Sequence, residues 1–337
     1  MKVAVLSPVA WRTPPRHYGP WEQVASNIAE GLVKLGVEVS LFATGDSITA
    51  GKLFSICDSG YEEDRSQDAK VLECMHISNL MERAGDFDII HNNFDFLPLT
   101  YSDLIKTPMI TTIHGFSSPK IIPVFKKYNA IGHYVSISNA DRSPELNYMA
   151  TVYNGLNTNC FEFNNEPHDY LLYFGRIHPD KGTAEAIAIA KKSKRRLIIA
   201  GLIQDEAYFK EKVEPELNAE IEYVGNAEPA RRNELLKNAY ALLHPINFDE
   251  PFGMSVAEAM LCGTPVIAFN RGSMPELISH QKTGFLVKNI DEAVEAVRNI
   301  KYLKREDCYK WSSTQFSAEK MVDDYLALYK KILALPV

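Results

Sequence analysis

Tyr170-Leu171-Leu172-Tyr173-Phe174-Gly175-Arg176-Ile177-His178-Pro179-Asp180-Lys181-Gly182 decides how the chain is organised. Tyr170–Phe174 is an apolar run of strand length. It breaks at a glycine into a loop with two cations, and a helical pattern over Thr183–Lys192 follows. This unit repeats an order already used upstream. Val3–Leu6 reads as a strand and Trp21–Leu35 as a helix. Val37–Phe42, Asp88–His91, Met109–His114, Tyr134–Ile137 and Ala150–Tyr153 read as further strands. After Lys192 the alternation continues with strands at Arg196–Ala200, Ile221–Val224, Ala241–His244 and Val266–Phe269. Helices are expected near Glu206–Leu217 and over Ala230–Asn238 and Met254–Cys262. Strands alternating with helices predict parallel sheets with right-handed crossovers, hence an α/β fold.

The polar stretch Asn159–Asp169 separates the two series and reads as a linker. The expected domains are 1–163 and 164–317, with a final helix in 318–337 that carries Met321, Tyr325, Leu328, Tyr329 and Ile332 at helical spacing. A chain of 337 residues is long enough for two domains. In such sheets ligands bind beyond the carboxyl ends of the strands.

Composition excludes several classes. Lys and Arg number 36 against 43 Asp and Glu, a net charge of −7, which disfavours a nucleic-acid partner. Cys57, Cys74, Cys160, Cys262 and Cys308 are scattered, with no C-x-x-C pair, which predicts reduced thiols and no zinc site. No run approaches the roughly 20 apolar residues of a membrane span. The expected location is the cytoplasm, with at most peripheral membrane contact.

Four places carry chemistry. In Asp249-Glu250-Pro251-Phe252-Gly253-Met254-Ser255-Val256-Ala257-Glu258, Gly253 frees the backbone just before a helix, whose first amides favour an anion. Glu258 inside the helix and Glu250 before it can each accept hydroxyls. The same pattern also fits an ordinary amphipathic helix with two exposed glutamates. In the loop after Phe174, Arg176 and Lys181 supply two cations for a diphosphate, unless they are merely solvated surface charges. The loop lacks the GxxxxGK[ST] pattern of an ATPase. In the first half, Gly19 could let the backbone approach a phosphate, but there is no GxGxxG and so no NAD signature. His114, ending a strand, is either structural or placed to bond a sugar hydroxyl or move a proton. Trp11, Tyr18, Trp21, Phe94 and Phe96 lie on loops after strands, where they either stack on an acceptor or pack as core and staple residues.

Taken in register, Asn154-Gly155, Gly175-Arg176, Lys181-Gly182, Glu250 and Glu258 with seven residues between, Gly263-Thr264-Pro265-Val266-Ile267 and Gly284-Phe285-Leu286-Val287 resemble the family 4 retaining glycosyltransferases. The resemblance runs over nearly the whole chain. It implies the GT-B fold: two Rossmann-like parallel-sheet domains facing across a cleft, the second binding a nucleotide-sugar donor such as UDP-glucose or GDP-mannose. It implies that Arg176 and Lys181 hold the diphosphate, Glu258 the ribose and Glu250 the sugar. The amides of Phe252, Gly253 and Met254 would meet sugar hydroxyls, with Ser255 beside them. The base would lie near Gly201, Tyr223, Gly225 and Asn226. Gly19 would cover the diphosphate, His114 would sit by the sugar, and the final helix would pack on the first domain. Catalysis would fall to His114, Arg176, Lys181 and Glu250, with no metal and no resident cofactor. The first-domain loop departs from the family in reading Gly19-Pro20-Trp21-Glu22 where many relatives have Gly-Gly-x-Glu, and Pro20 has no N–H to offer. The segment Val9–Pro15 with Tyr18-Gly19-Pro20 is also similar to bacterial pterin glucosyltransferases. The expected acceptor is therefore a small molecule, a glycoside or an oligosaccharide. An epimerase or phosphorylase on the same fold, or a non-catalytic nucleotide-sugar binder, are the alternatives.

Overall fold

The computed structural model describes residues 1–116 and 118–335. The chain forms two compact units. One is Met1–Leu156 together with the stretch from Ala318 onward; the other is Asn157–Ser317.

The first unit is built on strands β1 Lys2–Leu6, β2 Glu38–Phe42, β3 Lys52–Phe54, β4 Ile89–Asn92, β5 Met109–Ile113, β6 His133–Ser136 and β7 Tyr148–Thr151. They lie in the order β3-β2-β1-β4-β5-β6-β7, and each neighbouring pair is parallel. β1, β4 and β5 are buried along most of their length, so β1 reads as a continuous apolar run, while β4 and β5 also bury the polar His91, Asn92, Thr111 and Thr112. The helix Pro20–Lys34 packs Val24, Ala25, Ile28, Ala29 and Leu32 into the core beneath β1 and β2.

The helix Ala318–Leu333 joins the same core with Met321, Val322, Tyr325, Tyr329 and Ile332. Burying side chains of this size contributes about 1.5–3 kcal/mol each. Its contact with the helix Pro20–Lys34 depends on Gly31, where a Cβ would lie 2.4 Å from Val322 Cγ2. A buried polar chain fixes its register. Tyr329 Oη meets His91 Nδ1 at 2.6 Å, His91 Nε2 meets Thr112 Oγ1 at 2.8 Å, and Thr112 Oγ1 meets Tyr325 Oη at 2.7 Å.

The second unit is built on β8 Tyr170–Phe174, β9 Arg196–Ala200, β10 Ile221–Tyr223, β11 Ala241–His244, β12 Val266–Phe269 and β13 Gly284–Val287. The order is β10-β9-β8-β11-β12-β13, again parallel at each pair. The chain runs outward from β8 to β10, then returns to β11 and runs outward on the other side. The reversal opens a crevice beyond the carboxyl ends of β8 and β11. In the first unit the same reversal lies between β1 and β4.

Several elements differ from the sequence reading. The helix expected over Glu206–Leu217 is broken into Glu206–Tyr208, a widened π-type turn Phe209–Val213 and a 3₁₀ turn Glu214–Glu216. Pro215 has no N–H to continue a helix, and it falls in the last of these. The helix Ala69–Met81 was not legible because its apolar residues mark no single face: Val71 and Met75 are exposed while Ile77 and Leu80 are buried. The stretch Asn159–Asp169 is no loose tether. Asn164 N–H donates to Cys262 O and Asn164 Nδ2 to Asn238 Oδ1, while Phe163 packs on Tyr309. Arg305 ties this corner together by donating to the carbonyls of Asn164, Lys237 and Ala239. Among the described residues no helix is long and apolar enough to cross a membrane.

Candidate active site

The loop after β8 begins at Gly175-Arg176 and ends at Lys181-Gly182, where the helix Thr183–Ser193 starts. Gly182 sits at φ +73°, and a Cβ there would lie 1.9 Å from Pro245 O, so only glycine lets this loop touch the chain leaving β11. Asn247 strengthens the contact: its N–H donates to Asp180 O at 2.7 Å and its Nδ2 to Pro179 O at 3.1 Å. The two loops that flank the sheet reversal are thus one construction.

Inside it, Lys181 Nζ is ion-paired with Glu250 Oε2, and both side chains are largely buried. The Lys181 ammonium also lies 4.5 Å from the centre of the Phe248 ring. His244, the last residue of β11, is buried, with Nε2 3.8 Å from the same Glu250 oxygen. Burial pushes the His244 imidazole down to about 4, with Glu250 opposing and Lys181 reinforcing the shift. Arg176 is half-buried on the same loop, and its guanidinium donates to Gln204 Oε1 at 2.6 Å.

Beyond Glu250 the chain runs into the helix Met254–Leu261. Gly253 precedes it at φ +93°, and no side chain caps its first turn. Ser273, fully buried, holds the approach by donating its hydroxyl to Phe252 O at 2.6 Å and its N–H to Glu250 O at 2.9 Å. Met254 and Ser255, half-buried, open the helix beside this approach. One turn on, Glu258 is buried and faces Arg232 Nη1 at 3.3 Å. Burial raises its carboxyl above the usual range, and Arg232 opposes that shift. It is therefore not the exposed glutamate of an ordinary surface helix.

At the neighbouring strand ends, Gly201 N–H donates to Gly225 O at 2.9 Å and Tyr223 Oη to Gly201 O at 2.8 Å. Gly201 sits at φ +150° with Gly175 O where a Cβ would go. The structure thus brings Gly201, Tyr223 and Gly225 together, with Asn226 exposed beside them.

In the first unit, His114 follows β5. It is buried, with Nε2 3.1 Å from Asn93 Oδ1 and Nδ1 without a hydrogen-bond partner. Facing a carbonyl oxygen, Nε2 carries the proton and Nδ1 keeps a lone pair. Burial holds the ring neutral, at about 3. Trp21 stacks on it, centroids 5.4 Å apart. Gly19, at φ +148°, precedes this helix, and Glu22 in its first turn accepts the Trp11 N–H at 3.3 Å. Trp11 and Tyr18 meet edge to face at 6.3 Å. Phe94 does not serve as an exposed stacking surface: it is buried in the core, 6.1 Å from His76, because the loop after β4 folds inward through Asn92. Phe96 is half-buried against the same core. The aromatic reading therefore divides, with Trp11, Tyr18 and Trp21 partly accessible and Phe94 a core residue.

Residues 160–316 match the family model of glycosyl transferases group 1. An uncharacterized glycosyltransferase of Methanocaldococcus jannaschii is 23% identical, over 89% of this chain and 89% of its own. The glycosyltransferase AviGT4, involved in avilamycin A biosynthesis, superposes with a TM-score of 0.76 at 23% identity, covering 100% of this chain and 99% of its own. The Anabaena protein HepE, solved in complex with UDP and glucose, superposes with a TM-score of 0.71 at 19% identity, covering 99% and 100%. The chain has the GT-B fold of these glycosyltransferases.

Several residues of the candidate site carry no motif in the sequence. Arg232 is the counter-ion of Glu258, and Asn93 is the partner of His114. Their sequence distance, and their lack of any motif, hid them. Glu22 is buried, which raises its carboxyl to about 7. His244 ends an apolar strand, and its polarity in that run was the signal available. Among the described residues no cluster of three or more His, Cys, Asp or Glu side chains is arranged to hold a metal ion.

Proposed function

We propose that the chain is a retaining, family 4 type transferase that moves a hexose from a nucleoside-diphosphate sugar to an acceptor hydroxyl. The observation that carries this reading is the joining, at the sheet reversal of the second unit, of the loop that bears Arg176 and Lys181 to the loop that leads into the uncapped start of Met254–Leu261, through Gly182 on Pro245 and the Lys181–Glu250 pair. A diphosphate at that point meets two cations and the positive end of a helix that no side chain caps. Glu258, held by Arg232, takes the ribose hydroxyls. Glu250 and the amides of Phe252, Gly253 and Met254 take the sugar, with Ser255 alongside. Gly201, Tyr223, Gly225 and Asn226 take the base. The UDP and glucose of the Anabaena relative favour UDP-glucose over GDP-mannose as donor.

The reaction breaks the bond between the anomeric carbon and the diphosphate oxygen, and negative charge builds on that oxygen. Arg176, Lys181 and the helix start stabilise it where it forms, so the site supplies preorganised charge with no metal and no resident cofactor. The acceptor hydroxyl attacks the anomeric carbon on the face the diphosphate leaves, and its proton passes to the leaving phosphate oxygen, which retains configuration. In the first unit, His114 Nδ1 accepts a sugar hydroxyl and Gly19 opens its backbone to phosphate. Trp11, Tyr18, Trp21 and Phe96 contact the acceptor, a small molecule, a glycoside or an oligosaccharide. Cys57 is half-buried and Cys74 exposed, both free thiols, which suits a reducing cytoplasm.

Slow hydrolysis of UDP-[14C]glucose and GDP-[14C]mannose without acceptor tests the reading. One donor should release sugar, and the release should persist in EDTA. Loss of activity in EDTA overturns the metal-free step, and binding of a donor without any release favours a nucleotide-sugar sensor.

A further inference from the structure

His244 is a member of the β8–β11 crevice to which the transfer scheme gives no task. It is 6% exposed, and its Nε2 has no hydrogen-bond partner. A buried imidazole nitrogen without a partner is destabilising, and an aliphatic side chain would end an apolar strand at less cost. The ring lies where one event of the proposed reaction leaves a charge unmatched. Lys181 is already neutralised by Glu250 within the protein. A diphosphate that draws Lys181 must take it from that carboxylate, and little water reaches Glu250 to replace it, its side chain being 13% exposed. Stripping one partner from such a pair is costly unless another donor takes its place. The Glu250 backbone cannot shift far to find one, because Ser273 N–H holds its carbonyl and a Cβ on Gly272 would already lie 2.4 Å from its nitrogen. A donor already at hand is His244 Nε2, 3.8 Å from Glu250 Oε2, a short side-chain rotation from a hydrogen bond.

We propose that His244 is a positioning residue that receives the Glu250 carboxylate when the diphosphate of a nucleotide sugar takes Lys181. The ring stays neutral throughout, with the proton on Nε2, and donates to the carboxylate. Glu250 is then held for its own contact with the sugar, and Lys181 is released to the phosphates. The exchange rests on the donor reading above but adds to it. Lys181 changes partner on binding, and His244 keeps the carboxylate it leaves from standing alone.

UDP and GDP binding by calorimetry, with uridine and guanosine as references, separates the two claims. A glutamine side chain at this position puts an amide nitrogen near the place of Nε2, whereas asparagine and phenylalanine do not. His244→Gln should bind the preferred diphosphate within about threefold of the wild type. His244→Asn and His244→Phe should bind it about 10- to 100-fold more weakly, the range expected for a lost hydrogen bond to a charged group. Nucleoside binding should not change. In a Glu250→Gln background, which has no carboxylate to receive, His244→Asn should change diphosphate binding by less than about twofold. Should the Phe variant fail to fold, the Asn variant and the double-variant cycle decide. Wild-type binding of diphosphate in all variants, or an undiminished Asn effect in the Glu250→Gln background, overturns the role of His244 while leaving the donor reading intact. A wild type that does not distinguish diphosphate from nucleoside overturns both.

Discussion

Glu22 shows how far a single residue's environment can depart from its sequence. Its carboxyl is 3% exposed and titrates at about 7, because burial outweighs the N–H groups it accepts. The folded pKa lies above the ordinary value of 4.5, so between about 4.5 and 7 the folded state holds a proton that the unfolded chain has released. The contribution of Glu22 therefore falls as pH rises through that window, by about 3 kcal/mol in all. Glu22→Gln keeps an acceptor for Trp11 N–H and removes the titration. Denaturant unfolding at pH 5 and pH 8 should show the variant gaining on the wild type at pH 8; equal gains at both would refute the assignment. Glu258 belongs to the same scale. Glu258→Gln keeps the shape but weakens the pair with Arg232 and the proposed ribose contacts, and should weaken donor binding by about 1–3 kcal/mol in a calorimetric titration. Glu258 stood out in the sequence by its spacing to Glu250. That it is buried and paired to Arg232 was not legible, because the partner lies on the helix Pro229–Asn238, which no motif links to it.

Elements of the second unit position the site through backbone contact more than through side chains. Gly182 against Pro245, and Gly201 against Gly175, bring the loops after β8, β9 and β11 together at distances no Cβ permits. Gly182→Ala must distort the start of the helix Thr183–Ser193 and push the chain after His244 away. It should lower the melting temperature by several degrees and weaken diphosphate binding at the same time. An alanine variant with wild-type melting and binding would show that these loops are not coupled. At this scale most strands were readable from the sequence, because central parallel strands are mostly apolar runs bounded by turn residues. The short edge strand β3 and the helix Ala69–Met81 were not: the first has three residues, and the second displays apolar side chains both inward and outward. The proline-interrupted segment after Asp205 kept its helical composition but lost its helical regularity.

At the scale of the whole molecule, the chain ends inside the unit where it began. The helix Ala318–Leu333 completes the core of the first unit, which the apolar spacing of Met321, Tyr325 and Tyr329 already suggested. The tyrosine hydroxyls add what spacing could not show, a buried chain to His91 and Thr112. Tyr329→Phe leaves His91 Nδ1 buried without its partner and should cost about 1–3 kcal/mol in denaturant unfolding, with little change in donor binding. A neutral outcome would mean that the hydroxyl contributes only packing. The two parallel sheets were legible because each follows from an alternation that runs for many residues, whereas the strand orders that set their reversals were not. Candidate residues at the reversals could be picked out in the sequence where they sit close together, as Arg176 and Lys181 do, and not where they come from separate strands, as His244 and Asn93 do. Everything proposed for the second unit depends on a diphosphate held by Lys181, Arg176 and the start of the helix Met254–Leu261. The most direct test is calorimetric comparison of UDP with uridine, and GDP with guanosine, on the wild type and Lys181→Met. One diphosphate should bind at least about tenfold tighter than its nucleoside, and this advantage should collapse in the variant. Equal affinity for nucleoside and diphosphate in the wild type, or an advantage that survives the loss of Lys181, would contradict this reading.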